Sequence, residues 1–118
     1  MNDDARVEPM TDPFAGPAPQ PFVAASDLTV PPEGRAALME AFRDRLGAVE
    51  LAPGFQRLEV WADQSDPSAF TMVSWWDSRD QFLEYMRSDD HRRSHERIPG
   101  GEAGPRPVRF RRFTVVAT

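Results

Sequence analysis

Apolar and polar positions alternate from Phe22 to Val30. Phe22, Ala24, Ser26, Leu28 and Val30 fall on one parity and Val23, Ala25, Asp27 and Thr29 on the other, the period-two pattern of a β-strand. Pro31 and Pro32 close that strand, and the spacing of Leu38, Phe42, Leu46 and Val49 predicts one long amphipathic helix over 33–49. Pro53-Gly54 turns the chain back. Residues 55–62 and 69–76 read as two further strands, joined by DQSDPS, a polar connection suited to an antiparallel hairpin. Ser78 with Gln81 three residues on has capping-box spacing, so a helix is predicted from Arg79, with Phe82, Tyr85 and Met86 on its buried stripe. Ser88 opens a second short helix, where Asp89 and Asp90 sit in the first turn and meet the positive end of the helix dipole. His91, Ser94, His95 and Ile98 share one face of it, and Pro99-Gly100-Gly101 stops it. The last strand is predicted over 108–117. A bulge near Arg111 would reconcile Val108 and Phe110 on one parity with Phe113 and Val115 on the other.

The order βαββαβ is the ferredoxin-like split unit of an α+β fold. Both helical regions then cover one face of the sheet. The strands are apolar on both parities, so the other face needs a cover too, and two sheets packed across a two-fold axis would supply it. The expected assembly is a homodimer, a dimeric α+β barrel.

Composition narrows the chemistry. Residues 1–20 hold Pro9, Pro13, Pro17 and Pro19, and with Asp3, Asp4, Glu8 and Asp12 against Arg6 they account for −3 of the net −5. Such a stretch buries too little apolar surface to offset its ordering entropy, so it reads as a flexible arm ahead of one domain over 21–118. Cysteine is absent, which excludes disulfides, thiolate metal sites and cysteine nucleophiles. All 14 basic residues are arginine, which excludes a Schiff-base lysine. The negative net charge argues against nucleic acid as a partner. No stretch reaches the ~20 apolar residues of a membrane span, and the acidic start lacks the basic and apolar regions of a leader, so the expected location is the cytoplasm.

Three motifs together carry a resemblance: PGF at 53–55, SWWDS at 74–78 and SDDHRRSH at 88–95. Over 22–117 the chain resembles the antibiotic biosynthesis monooxygenase superfamily, including its haem-degrading branch. The resemblance implies the dimeric barrel and a mostly apolar pocket between sheet and helices. It also implies a monooxygenase that oxidises an aromatic or polycyclic, quinol-like small molecule with O2 and needs no resident cofactor. Its haem-degrading members ligate iron through a histidine at the position of His95, so haem is the alternative cofactor and His95 its ligand. Those members carry a tryptophan ten residues before that histidine and an asparagine on the first strand; this chain has Tyr85 and Ser26 there. The implied catalytic set is therefore His95 and Tyr85 flanking the pocket with Ser26 on its floor, and Trp76, Phe82 and Met72 are the implied substrate-binding residues. A non-catalytic small-molecule-binding module on the same fold is the third reading.

The residues weigh in separately. His95, on a polar helix, is suited to act as a neutral imidazole ligand or as a general base near neutral pH; the plainer role is a solvated histidine favoured by the helix C-terminus. His91, among Asp90, Arg92 and Arg93, reads as surface. The pair has i, i+4 spacing, but HRRSH lacks the glutamate of a zinc-protease helix, and no metal site is expected. Trp61, Trp75 and Trp76 form either a stacking platform or core, with Trp76 on the parity of Phe70, Met72 and Ser74 and Trp75 on the other. Arg109, Arg111 and Arg112 either clamp a carboxylate or a haem propionate, or solvate an edge strand.

Overall fold

A computed structural model describes residues 20–44 and 48–118. The predicted arm, except Gln20, lies outside the described residues, as does Leu46. Strand β1 (Phe22–Thr29) leads through a 3-10 turn (Pro32–Gly34) into helix α1 (Arg35–Arg43). A second 3-10 turn (Ala48–Leu51) precedes strands β2 (Phe55–Ala62) and β3 (Ala69–Trp76). Helices α2 (Arg79–Met86) and α3 (Asp89–Glu96) and strand β4 (Arg106–Thr114) complete the chain. The four strands form one antiparallel sheet in the order β2-β3-β1-β4, the α+β ferredoxin-like arrangement. No helix among the described residues is long and apolar enough to cross a membrane.

Two elements differ from the sequence pattern. The helix predicted over 33–49 is α1 alone, ending at Asp44, while Val49 sits in the separate 3-10 turn. Leu38 and Phe42 pack with Val30 and Phe70, whereas Val49 joins Phe22, Trp76 and Phe82. The apolar spacing that looked like one stripe serves two different cores. In β4 the irregularity lies at Val108, not near Arg111: Arg109 faces Asp27 and Pro107 faces Leu28, leaving Val108 between them. Pro107 has no N–H for a regular ladder, which places the break beside it. Phe110 and Phe113 need no bulge, because one faces the helices and the other does not. The strand also ends earlier than predicted, after which Val115 N–H donates to the Pro21 carbonyl (3.0 Å).

The register assigns the faces. On the helix side, four cross-strand rows run Phe55–Trp76–Phe22–Thr114, Leu58–Ser74–Ala24–Arg112, Val60–Met72–Ser26–Phe110 and Ala62–Phe70–Leu28–Pro107. One buried cluster (Phe22, Ala24, Val49, Trp76, Phe82) occupies the first rows under α2 and the other (Val30, Leu38, Phe70) the far end under α1. The opposite face carries Trp61, Trp75, Val73, Thr71, Ala25, Asp27, Arg109, Arg111 and Phe113, and no helix of the described residues lies over it.

The predicted PGF turn is built as a support for α2. Gly54 has φ +82, a left-handed conformation that glycine adopts without a Cβ penalty, and a Cβ there would collide with the Gln81 side chain. The Gly54 carbonyl accepts from Asp77 N–H at 2.7 Å, directly before the α2 cap. Ser78 caps as predicted, its Oγ accepting from Gln81 N–H.

Candidate functional site

Ser88 joins α2 to α3. Its Oγ donates to the Tyr85 carbonyl at 2.6 Å and accepts from His91 N–H at 3.1 Å, so one hydroxyl closes the end of α2 and caps the start of α3. That elbow returns the His91 ring against α2, edge-on to Tyr85 with centroids 5.3 Å apart at 72°. His91 is half-buried, and His95, 5.9 Å from it, is exposed. This corrects the surface placement expected of His91: the salt bridges Arg92–Asp89 and Arg93–Asp90 hold its charged neighbours on the outer side of α3 and leave His91 facing α2. Burial pushes the His91 imidazole below its ordinary value, the neighbouring His95 adds to that, and the Met86 backbone opposes it.

From His95 the rings run without a break into the core. Tyr85 lies 5.5 Å from Trp76, Trp76 lies 5.7 Å from Phe82, and Phe82 is stacked on Phe110 at 6.0 Å and 15°. Trp76 is 1% exposed, its indole N–H donating to Ser74 Oγ at 2.9 Å, and Phe82 is 5% exposed. Both back the site from within the core and present no free surface to a ligand, because the α2 cap presses Phe82 onto Phe22 and Trp76. Met86, expected on the buried stripe, is exposed; Leu83 packs on the core with Tyr85 instead.

Ser26 and Met72 are partners across β1 and β3 in the row Val60–Met72–Ser26–Phe110, and both are half-buried. Neither belongs to either buried cluster. The row lies between the cores under α1 and α2, with Val60 packed against the α1 core and Phe110, 48% exposed and stacked on Phe82, at its β4 end. At the β2 end, Val60 also lines a cavity of about 300 Å³ with Met39, Phe42, Arg43, Leu58, Ala62 and Phe70. None of the six residues singled out in the sequence lines that cavity. Phe110 was overlooked in the sequence; its stacking on Phe82 and its register with Ser26 are long-range facts.

The arginines on β4 separate by face. Arg109 and Arg111 pair with the chain's own Asp27 on the helix-free face: Arg109 Nε lies 3.2 Å and Arg111 Nη2 3.3 Å from Asp27 Oδ2. Thr71 Oγ1 donates to Asp27 Oδ1 at 2.7 Å. Together these hold the Asp27 carboxyl below the usual carboxylate range, the Thr71 hydrogen bond contributing most. Arg112 lies on the helix side opposite Ala24 and is exposed. Trp75 serves as a platform for Arg57, whose guanidinium carbon lies 3.9 Å from its ring centroid, and meets Trp61 at 6.3 Å.

Comparison with known proteins bears on this arrangement. Residues 21–97 match the family model described as antibiotic biosynthesis monooxygenase. A staphylobilin-producing haem oxygenase of Staphylococcus epidermidis is 31% identical over 86 residues, covering 71% of this chain and 82% of that protein. The corresponding enzyme of Staphylococcus saprophyticus is 36% identical over 52 residues, 42% of this chain, and the match spans half of that relative's length. Among solved structures, SnoaB, a cofactor-independent oxygenase from Streptomyces nogalater, superposes with a TM-score of 0.69 at 15% identity, over 84% of this chain and 96% of that one. A haem-free haem-degrading protein of Mycobacterium tuberculosis does so with a TM-score of 0.62 at 23% identity, over 85% and 96%. At these identities the structural matches establish the fold.

Proposed function

The chain belongs to the antibiotic biosynthesis monooxygenase family, and from that premise we propose that it oxidises an aromatic or polycyclic, quinol-like small molecule with O2 in a pocket between sheet and helices. The observation that carries this reading is the cross-strand row Val60–Met72–Ser26–Phe110 on the helix side of the sheet, whose central residues Met72 and Ser26 are half-buried and belong to neither buried cluster. Its apolar walls suit a flat ring system, and Ser26 offers a hydroxyl at the floor. The exposed His95 imidazole takes a proton from the substrate, and Tyr85 orients it. The electrons come from the substrate: a ring methylene is oxidised to a carbonyl, one oxygen atom of O2 enters the product, and the other leaves as water with the two hydrogens. Oxygen consumption with reduced quinols and anthrones, compared between the native protein and His95→Ala, tests this. Uptake that depends on His95 supports it, and absence of uptake with both these substrates and haemin favours a non-catalytic binding module.

A second reading has its own support. The curated relatives that match at 31–36% identity are haem oxygenases, and His95 fits the group: its imidazole is exposed on α3, with the His91 ring 5.9 Å away. His95 would hold the iron, and the group would supply O2 activation at its own macrocycle. Titration with haemin, followed through the Soret band in the native protein, His95→Ala and Ser26→Asn, separates this reading from the first.

For the assembly we propose a homodimer in which a second copy covers the helix-free face. Trp61 and Phe113 stand 49% and 46% exposed on that face, an apolar area that a monomer leaves in water.

A further inference from the structure

We infer that His91 is a positioning residue: lodged between the last turn of α2 and His95, it seats the Tyr85 ring and so sets the wall of the site that His95 faces. The inference rests on the proposed role of His95 and extends it to a residue that carries no role in that reaction.

Three observations meet at His91. Its backbone N–H is taken by Ser88 Oγ, the same hydroxyl that bonds the Tyr85 carbonyl, so the positions of His91 and Tyr85 are fixed by one atom. Its ring stands edge-on to Tyr85, the arrangement in which the positive rim of one ring meets the negative face of another. Its ring is half-buried in the elbow, beside the last turn of α2. Tyr85 in turn leans on Trp76 at 5.5 Å, so its ring is gripped from both sides, by a core residue and by His91. His95 lies one turn further along α3, exposed and in contact with the same His91 ring. A side chain that left the elbow would free Tyr85 on one side and remove the neighbour against which His95 rests.

The chain has one tyrosine and two histidines, which makes the test direct. Proton NMR of the full chain follows the Tyr85 ring signals in the native protein, His91→Ala, His91→Phe, His91→Gln and His95→Ala. The expected result is a large shift of the Tyr85 signals in His91→Ala and His91→Gln, near-native signals in His91→Phe, and little change in His95→Ala. In parallel, haemin affinity and O2 uptake with a reduced quinol are measured on each variant. Whichever probe responds to His95→Ala is expected to weaken about tenfold in His91→Ala, the size of loss typical of a residue that orients a ligand, and to recover in His91→Phe. Tyr85 signals unmoved by His91→Ala overturn the inference, as does full function in His91→Gln. If neither probe responds to His95→Ala, the reading of His95 fails, while the Tyr85 signals still decide whether His91 seats the ring.

Discussion

Asp27 and Arg111, on neighbouring strands of the helix-free face, are joined through both carboxylate oxygens: Arg111 Nη2 lies 3.3 Å from Oδ2 and 3.5 Å from Oδ1. The contact ties the centre of β1 to β4, and with Thr71 on β3 it spans three strands. The Arg111 Nε is buried with no hydrogen-bond partner among the described residues, and the guanidinium also lies 5.7 Å from the Phe113 ring centroid.

Stability should therefore depend on the Asp27 charge. Its folded value is lowered, so the stabilisation is fully present above the unfolded value of about 3.9 and is lost as pH falls through the folded value. Urea melts between pH 2.5 and 6 should show this loss in the native protein and a flatter profile in Asp27→Asn. At pH 7, Asp27→Ala should cost about 1–2 kcal/mol, chiefly through the Thr71 hydrogen bond, because both arginine partners are well exposed.

Gly54→Ala should destabilise the support of α2. Placing a Cβ on a left-handed residue costs about 1–2 kcal/mol, and here it also displaces Gln81 from the cap. For a domain of this size, a fall in Tm of roughly 5–10 °C follows from that loss. A melting curve unchanged within a degree would show that the turn relaxes freely.

Ser26→Phe distinguishes a trough from a core. In a packed interior the added ring would cost about 1–3 kcal/mol, whereas in an open trough Tm should stay nearly unchanged while substrate or haemin affinity falls at least about tenfold. Differential scanning calorimetry and ligand titration on the same sample give both numbers. Under the haem reading, Tyr85→Trp with Ser26→Asn should raise ring cleavage in the presence of a reductant.

The proposed dimer should appear by light scattering at about twice the 13.3 kDa chain mass. Phe113→Glu with Trp61→Glu should shift it to a monomer, since burying two unpaired carboxylates at the interface is strongly unfavourable. A native protein that runs as a monomer at micromolar concentration would leave the helix-free face without its proposed cover.

The chain's own pattern determined what short-range physics can determine. Alternation marked β1, β2 and β3 to the residue or within one, since each side chain's face follows from its parity alone. Ser78 and Ser88 marked the starts of α2 and α3, because a cap bonds backbone groups only three residues away. The PGF turn was legible for the same reason. Tertiary structure decided the rest. Val49 left the α1 stripe because its burial lies in another cluster, and the β4 irregularity settled at Val108 because its partner strand, β1, is some 80 positions earlier in the chain. At the site, the motif marked His95 and Tyr85 as candidates, but which histidine is enclosed depends on how α3 folds back over α2 at the Ser88 elbow. Trp76 and Phe82 share the period of pocket-lining residues and of core alike; only the packing of α2 on the sheet made them core and left Ser26, Met72 and Phe110 outside the buried clusters.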